Sequence, residues 1–275
     1  MIGSTGLPRL IATDLDGTLA RPDGLISARS ARALASATAA GSLVVLVTGR
    51  PVRWLSRIYP CLVEPYPAVC ANGAVIYEPA LDAVLESRTI PLDTVRSAFE
   101  RIRASVAGVA FATEVDDSRR MLLESHYPLR REAPGDGLRA ATFDELCSTP
   151  AVKLLVRVDG WDPDALAAAV RDAVGRDLEA THSAPYGLVE LSAHDVTKAT
   201  GLAAYASSVG LGPDDAIVFG DMPNDLPMFA WAAGGEHRRT IAVANAHEAV
   251  LAVASAVIGS NVDDGVAAYL EDLLG

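Results

Sequence analysis

The chain has 275 residues, half of them hydrophobic, and a formal net charge of −12. That length accommodates one large domain or two moderate ones, and that apolar content excludes a disordered chain. The acidity argues against nucleic acid and anionic membranes as partners, and an anionic ligand would have to be drawn by local positive charge.

In chain order, the first element is a short apolar strand at Leu10–Thr13, followed at once by Asp14-Leu15-Asp16-Gly17-Thr18-Leu19. Ser27 reads as a helix N-cap, with the helix running to Ala40 and Gly41 just past its end. Leu43–Val47 is continuously apolar, as a strand buried on both faces requires. Thr48-Gly49-Arg50 comes next, and Pro51 suits the first turn of a following helix. A weaker strand over 68–71 ends at Asn72-Gly73. This alternation is the βαβ signature of a parallel sheet.

From about 77 to 191 the texture changes. Strand-like runs at 84–90 and 152–158 alternate with helical patterns at Leu92–Ser105 and Pro163–Val174, and Pro134-Gly135-Asp136-Gly137 reads as a turn. The βαβ texture then resumes. A helix over 197–209 is closed by Gly210, and a strand over 216–219 leads into Gly220-Asp221. A short helix over 224–232, a strand over 240–243 and a closing helix at Gly265–Leu274 follow. The expected fold is therefore α/β. A doubly wound, Rossmann-like parallel-sheet core is made of 1–77 and 192–275, and 78–191 is inserted as an α+β cap domain with its own sheet.

The longest apolar runs fall far short of the ~20 residues that span a bilayer, and the N-terminus lacks a basic-then-apolar leader. A cytoplasmic protein is expected, with Cys61, Cys70 and Cys147 as reduced thiols. The five histidines show no zinc-ligand spacing. Of the 23 basic residues only Lys153 and Lys198 are lysines, so a lysine kept among arginines invites a chemical explanation.

Four segments carry candidate chemistry, each at the carboxyl end of an expected core strand or at a helix start beside it, where open α/β sheets bind ligands. In Asp14-x-Asp16-Gly17-Thr18 one carboxylate can attack while the other manages protons. Read alone, Asp-x-Asp is more often an Asx-turn facing water. The longer string, at residue frequencies of roughly 5–7% each, arises by chance in under about 1% of chains this long. Thr48 and the backbone N–H groups of Gly49 and Arg50 can hold phosphoryl oxygens, although Thr-Gly is also ordinary turn chemistry. Lys198 is a compact point charge suited to a phosphoryl group, or else a solvated lysine. Lys153, inside an apolar strand pattern, reads as structural or exposed. Asp221 suits the hard-oxygen demand of magnesium, and Asn224 and Asp225 are either part of that site or helix caps. His194 reads as structural, and Arg119, Arg120, Arg130 and Arg131 read as solvated surface.

Taken together, Asp14-x-Asp16-Gly-Thr, Thr48-Gly49-Arg50, Lys198 and Gly220-Asp221-x-x-Asn224-Asp225 resemble the four motifs of the haloacid-dehalogenase-like superfamily, in particular its Cof-type sugar-phosphatase branch. Asn72-Gly73-Ala74, Ala244-Asn245-Ala246 and Asp264-Gly265-Val266 add to the likeness, which spans nearly the whole chain but is weak in the cap. The resemblance implies a Mg²⁺-dependent phosphomonoester hydrolase that acts through an aspartyl phosphate on a sugar phosphate or similar small phosphorylated metabolite. A phosphomutase of the same superfamily would share the site. By this resemblance Asp14 is the nucleophile and Asp16 the acid/base. Asp14, the Asp16 carbonyl and Asp221 hold the metal with Asp225 in support, and Thr48, Gly49, Arg50, Asn224 and Lys198 hold the phosphoryl group. Charge crowding is expected to raise the pKa of one carboxyl, with Asp16 as the candidate.

Overall fold

The computed structural model describes residues 7–129, 137–182 and 186–275. The strands are β1 (Leu10–Thr13), β2 (Leu43–Val47), β3 (Ala68–Cys70), β4 (Val75–Glu78), β5 (Ala83–Ser87), β6 (Ala110–Val115), β7 (Arg120–Leu123), β8 (Leu138–Ala140), β9 (Ala151–Arg157), β10 (Leu178–Thr181), β11 (Leu188–Ala193), β12 (Ala216–Gly220), β13 (Arg239–Val243) and β14 (Ala256–Ile258). The α-helices are α1 (Ala28–Ala39), α2 (Leu92–Ser105), α3 (Phe143–Ser148), α4 (Pro163–Val174), α5 (Lys198–Ser208), α6 (Leu226–Ala233), α7 (Glu248–Leu251) and α8 (Gly265–Leu274).

The larger sheet has the order β14-β13-β12-β1-β2-β3-β4-β5. Pairing is parallel from β14 to β3, and β4 and β5 close the edge as an antiparallel hairpin. Alternation along β1 explains the layering. Ile11 packs with Leu34 of α1 and Leu270 of α8, whereas Leu10 and Ala12 pack with Leu202 of α5 and Phe229 of α6. Helices thus cover both faces, which makes the core doubly wound.

The smaller sheet, of order β10-β11-β9-β6-β7-β8, forms the cap, and its pairing is antiparallel except for β7 with β8. One face is covered by α2 and α4, with the Phe99 and Phe111 rings stacked 4.1 Å apart. Leu154 and Val156 of β9 and Val189 and Leu191 of β11 belong to that buried layer. The period of two therefore sends Lys153, Leu155, Leu188 and Glu190 to the other face, toward the core.

The structure corrects several expectations. The division at 77/78 falls inside the β4–β5 hairpin, where Tyr77 pairs with Val84 and Glu78 with Ala83. The strand expected over 84–90 is β5, and it extends the core sheet because a tight turn with Asp82 at φ 46° folds it back on β4. The helix expected after Pro51 is only a 3-10 segment, Val52–Arg57. Strand β3 stops at Cys70 because Ala71 and Asn72 take left-handed conformations. Pro223 and Pro227 divide the segment after Asp221 into a 3-10 turn, Pro223–Asp225, and α6. Arg130, Arg131 and residues 134–136 of the expected turn lie outside the described residues.

Candidate active site

Parallel pairing brings the carboxyl ends of β1, β2 and β12 to one edge. Thr13 is in register with both Phe219 and Leu46, and the Asp14 N–H still donates to the Phe219 carbonyl at 3.0 Å. Asp14 and Asp221 are the residues that follow these strands, so they meet across the β1–β12 seam. Helix α5 approaches the same edge. Its N-cap Thr197 and Thr200 form a reciprocal capping box, which fixes Lys198 as the first helical residue. Gly73 permits this approach, since a Cβ there would lie 1.9 Å from the Thr197 carbonyl oxygen.

The Lys198 ammonium is buried and donates to Asp14 Oδ1 at 2.6 Å and to Asp225 Oδ1 at 2.7 Å. The other Asp225 oxygen accepts the backbone N–H groups of Asp221 (2.9 Å) and Met222 (3.1 Å). Asp225 is thereby fully engaged and props up the loop that carries Asp221. Asp221 Oδ1 accepts from the Thr18 hydroxyl at 2.9 Å. Gly17, at φ +88°, lets the first loop close over Asp221, because a Cβ would sit 2.1 Å from Asp221 Oδ2. Asn245 Nδ2 donates to the Gly17 carbonyl at 2.8 Å, and the Asn261 side chain donates to the Ala20 carbonyl at 2.8 Å, so both hold that loop. Asp264 forks Arg21 on the same loop, at 3.1 and 2.7 Å.

Asp14, Asp221 and Asp225 are buried and offer carboxylate oxygens within 4.8 Å of one another. Burial, resisted by Lys198 and reinforced by Asp225 and Asp16, pushes the Asp14 carboxyl up to about 7. Burial and the Asp14 and Asp225 charges push Asp221 up to about 9. Burial works to lower the Lys198 pKa, but the two carboxylates outweigh it and hold the ammonium above its ordinary value. Three buried acids against one ammonium make an electron-rich, all-oxygen donor set that a hard divalent cation fits.

Burial and crowding raise the carboxyls of Asp14 and Asp221. Asp16 stands apart, about a third exposed and forked by Arg50 (Nε–Oδ2 2.7 Å, Nη2–Oδ1 2.8 Å). Arg50, expected to bind phosphoryl, is engaged with Asp16 here, and also donates to the Gly24 carbonyl at 3.2 Å. Thr48 Oγ1 accepts the Arg50 N–H at 3.0 Å, which closes the Thr48-Gly49-Arg50 turn. Asn224 donates to Asn72 Oδ1 at 3.2 Å, while its own Oδ1 is buried without a partner.

A cavity of about 680 Å³ opens between this edge and the cap. Asp14, Asp16, Gly49, Arg50, Asp221 and Asn224 line it from the core. Sequence reasoning missed the cap side, where Glu114, Tyr127, Lys153, Leu155, Tyr186 and Glu190 line it. Lys153 is buried and bonded to Glu190, a role its strand pattern left open. The signal available in the sequence was a charge at alternate positions of two apolar strands. His194 instead faces Glu179 and Asp195, and Arg119 and Arg120 pair with Asp82 and Asp116.

Comparison with known proteins agrees with this geometry. A family model described as haloacid dehalogenase-like hydrolase matches residues 11–270. The chain is 27% identical over 267 residues to the 5-amino-6-(5-phospho-D-ribitylamino)uracil phosphatase YitU of Bacillus subtilis, covering 96% of this chain and 97% of that protein. It is 26% identical to the pyridoxal phosphate phosphatase YbhA of Escherichia coli, covering 95% and 97%. The fold is similar to that of SMU.1108c from Streptococcus mutans, with a TM-score of 0.81 at 21% identity, covering 97% and 99%.

Proposed function

We propose that this chain, which belongs to the haloacid dehalogenase-like hydrolases, cleaves the phosphomonoester of a small metabolite, a sugar phosphate or a molecule of similar size, through an aspartyl phosphate on Asp14. The observation that carries this reading is the buried Asp14–Lys198–Asp225 array beside Asp221, at the floor of a cleft of metabolite size. The relatives named above act on different phosphorylated metabolites, in keeping with one phosphoryl site under a variable cap.

Magnesium, held by the Asp14 and Asp221 carboxylates with Asp225 behind them, would supply the positive charge that lets a phosphoryl dianion approach these acids. Lys198 keeps Asp14 aimed and lowers the cost of its ionised form. The phosphoryl oxygens are received by Thr48, the N–H groups of its turn and Asn224. Asp14 attacks phosphorus in line, the ester P–O bond breaks, and the departing oxygen takes a proton from Asp16. Asp16 then takes a proton from water as that water attacks the aspartyl phosphate, which releases inorganic phosphate and regenerates Asp14. Asp16 has both oxygens in the Arg50 fork, so acting as the acid requires one arm of that fork to open and the freed oxygen to take up a proton from solvent as substrate enters.

Phosphate release from a panel of phosphomonoesters tests the reading. Activity is expected to vanish with a chelator and to return with excess Mg²⁺. Full activity in metal-free buffer, or transfer of phosphate back to sugar with little inorganic phosphate released, contradicts it.

A further inference from the structure

The cap-side wall of the cleft is largely apolar, from Tyr127, Leu155, Tyr186 and Leu188, yet it contains two buried acids. Glu114 is 3% exposed and Glu190 is 7% exposed. Each is tied to a base. Arg53 forks Glu114, and Lys153 Nζ donates to Glu190 Oε1 at 2.5 Å. Lys153 lies directly opposite Glu114 in the β6–β9 register and is itself buried. Its ammonium also donates to the Gly49 carbonyl at 2.5 Å, within the turn that presents Thr48. The second Glu190 oxygen accepts from Asn72 Nδ2 at 3.1 Å, and Asn72 Oδ1 in turn accepts from Asn224. Glu190 is therefore fixed from both sides, by the cap and by the core, next to the place where phosphoryl would bind.

A buried ion pair gives little net stability over apolar side chains of the same volume. What this one does is set the charge that a bound molecule meets. The basic side chains of the cap floor are already matched by acids, and at the rim Arg21 is forked by Asp264 while Arg57 lies over the Trp54 ring. At the phosphoryl end three buried acids face one ammonium, so surplus positive charge there would have to come from a bound cation. A hydroxyl on the leaving group can donate to Glu190 and accept from Lys153, two of whose three N–H groups are used. A carboxylate in the same place would face the buried Glu190 carboxylate at contact distance. It could accept the third N–H of Lys153 only by lying against the Glu190 carboxylate that already shares that ammonium.

We propose that Glu190, held by Lys153 and Asn72, is a specificity-determining residue that admits uncharged, hydroxyl-bearing leaving groups and turns away leaving groups that carry a carboxylate. The proposal rests on the phosphomonoesterase reading and narrows its substrate class.

The test compares kcat/KM, with Mg²⁺, for matched esters: glycerol phosphate against phosphoglycolate, and a hexose phosphate against the corresponding phosphorylated sugar acid. p-Nitrophenyl phosphate reports whether the phosphoryl site itself works. Wild-type enzyme is expected to favour the neutral member of each pair. Glu190→Gln is expected to shift the ratio toward the acid by about tenfold or more, chiefly through KM. Lys153→Gln, which leaves Glu190 negative and takes away its ammonium, should shift it the opposite way. Opposite signs from two neighbouring residues are not what a merely structural pair produces. A ratio unmoved by Glu190→Gln, or a wild type that prefers the acids, overturns the proposal, and the wild-type ratio decides if either variant fails to fold. A wild type inactive on every ester, p-nitrophenyl phosphate included, would instead refute the phosphomonoesterase reading.

Discussion

Replacing Lys198 with methionine removes the ammonium that bonds both Asp14 and Asp225 and leaves three buried carboxylates crowded together. Methionine fills much the same volume, so the loss is electrostatic rather than a cavity. Breaking a buried ion pair by deleting one partner costs about 3–5 kcal/mol, a large part of a typical total of about 5–15 kcal/mol. At about 2–4 °C per kcal/mol, the melting temperature of the chelated protein should fall by roughly 6–20 °C. The fall should depend on pH. Asp14 already titrates at about 7 with Lys198 present, and without the lysine its carboxyl moves higher still. Near pH 5.5 the acids can meet the loss by binding protons, so the deficit should be smaller than near pH 8.5. Added Mg²⁺ should recover part of it by neutralising the remaining acids. Thermal denaturation of both proteins, with chelator and with Mg²⁺ at the two pH values, measures each term. A deficit below about 1 kcal/mol, the scale of a surface pair, or one larger at the acid pH, would refute the electrostatic reading of this cluster.

The wild-type protein should show the same charge crowding without mutation. Asp14 and Asp221 have folded pKa values of about 7 and about 9, above the ordinary 3.8, so the fold favours their protonated forms. Their contribution to stability is whole below the ordinary value and is lost as pH rises through about 7 and then about 9. Urea midpoints of the chelated protein should therefore decline across that window and flatten when Mg²⁺ is added; a rise with pH in chelator would be the wrong sign. Gly17→Ala should abolish most activity, because its methyl would lie 2.1 Å from Asp221 Oδ2 in addition to the cost of φ +88°. Gly41→Ala serves as the control: it shares a positive φ, of +103°, but its Cβ meets nothing within 4 Å, so it should lose stability and keep turnover.

The core was legible because its signals are local. Each chemical motif directly follows an apolar strand or opens a helix, and parallel strands carry their carboxyl ends to one edge, so adjacency in space follows from order in sequence. The limits at Leu10–Thr13, Leu43–Val47, Leu92–Ser105 and Gly265–Leu274 were set by apolar runs, caps and glycines within those segments. The cap side of the cleft was not legible. Lys153 and Glu190 meet only through the antiparallel register of β9 and β11, and Glu190 meets Asn72 only through the seating of the cap on the core. The division near 77 failed for a related reason, since a short amphipathic strand does not declare which sheet it will join. Counting acids foresaw a raised carboxyl but not the Arg50–Asp16 fork, because the reach of Arg50 to Asp16 depends on the path of the loop through Gly24.

The central claim is that Asp14 takes the phosphoryl group while Asp16 moves protons. Intact-protein mass spectrometry after rapid acid quench, with p-nitrophenyl phosphate as substrate, tests it most directly. General acid–base help is worth about 10²–10⁴-fold, and this activated ester needs little of it in the first step. Asp16→Asn should therefore accumulate a single phosphoryl adduct, and peptide mapping should place it on Asp14. Asp14→Asn should give neither adduct nor turnover. An adduct on Asp16 in the wild type, or one that forms equally well in Asp14→Asn, would contradict the assignment.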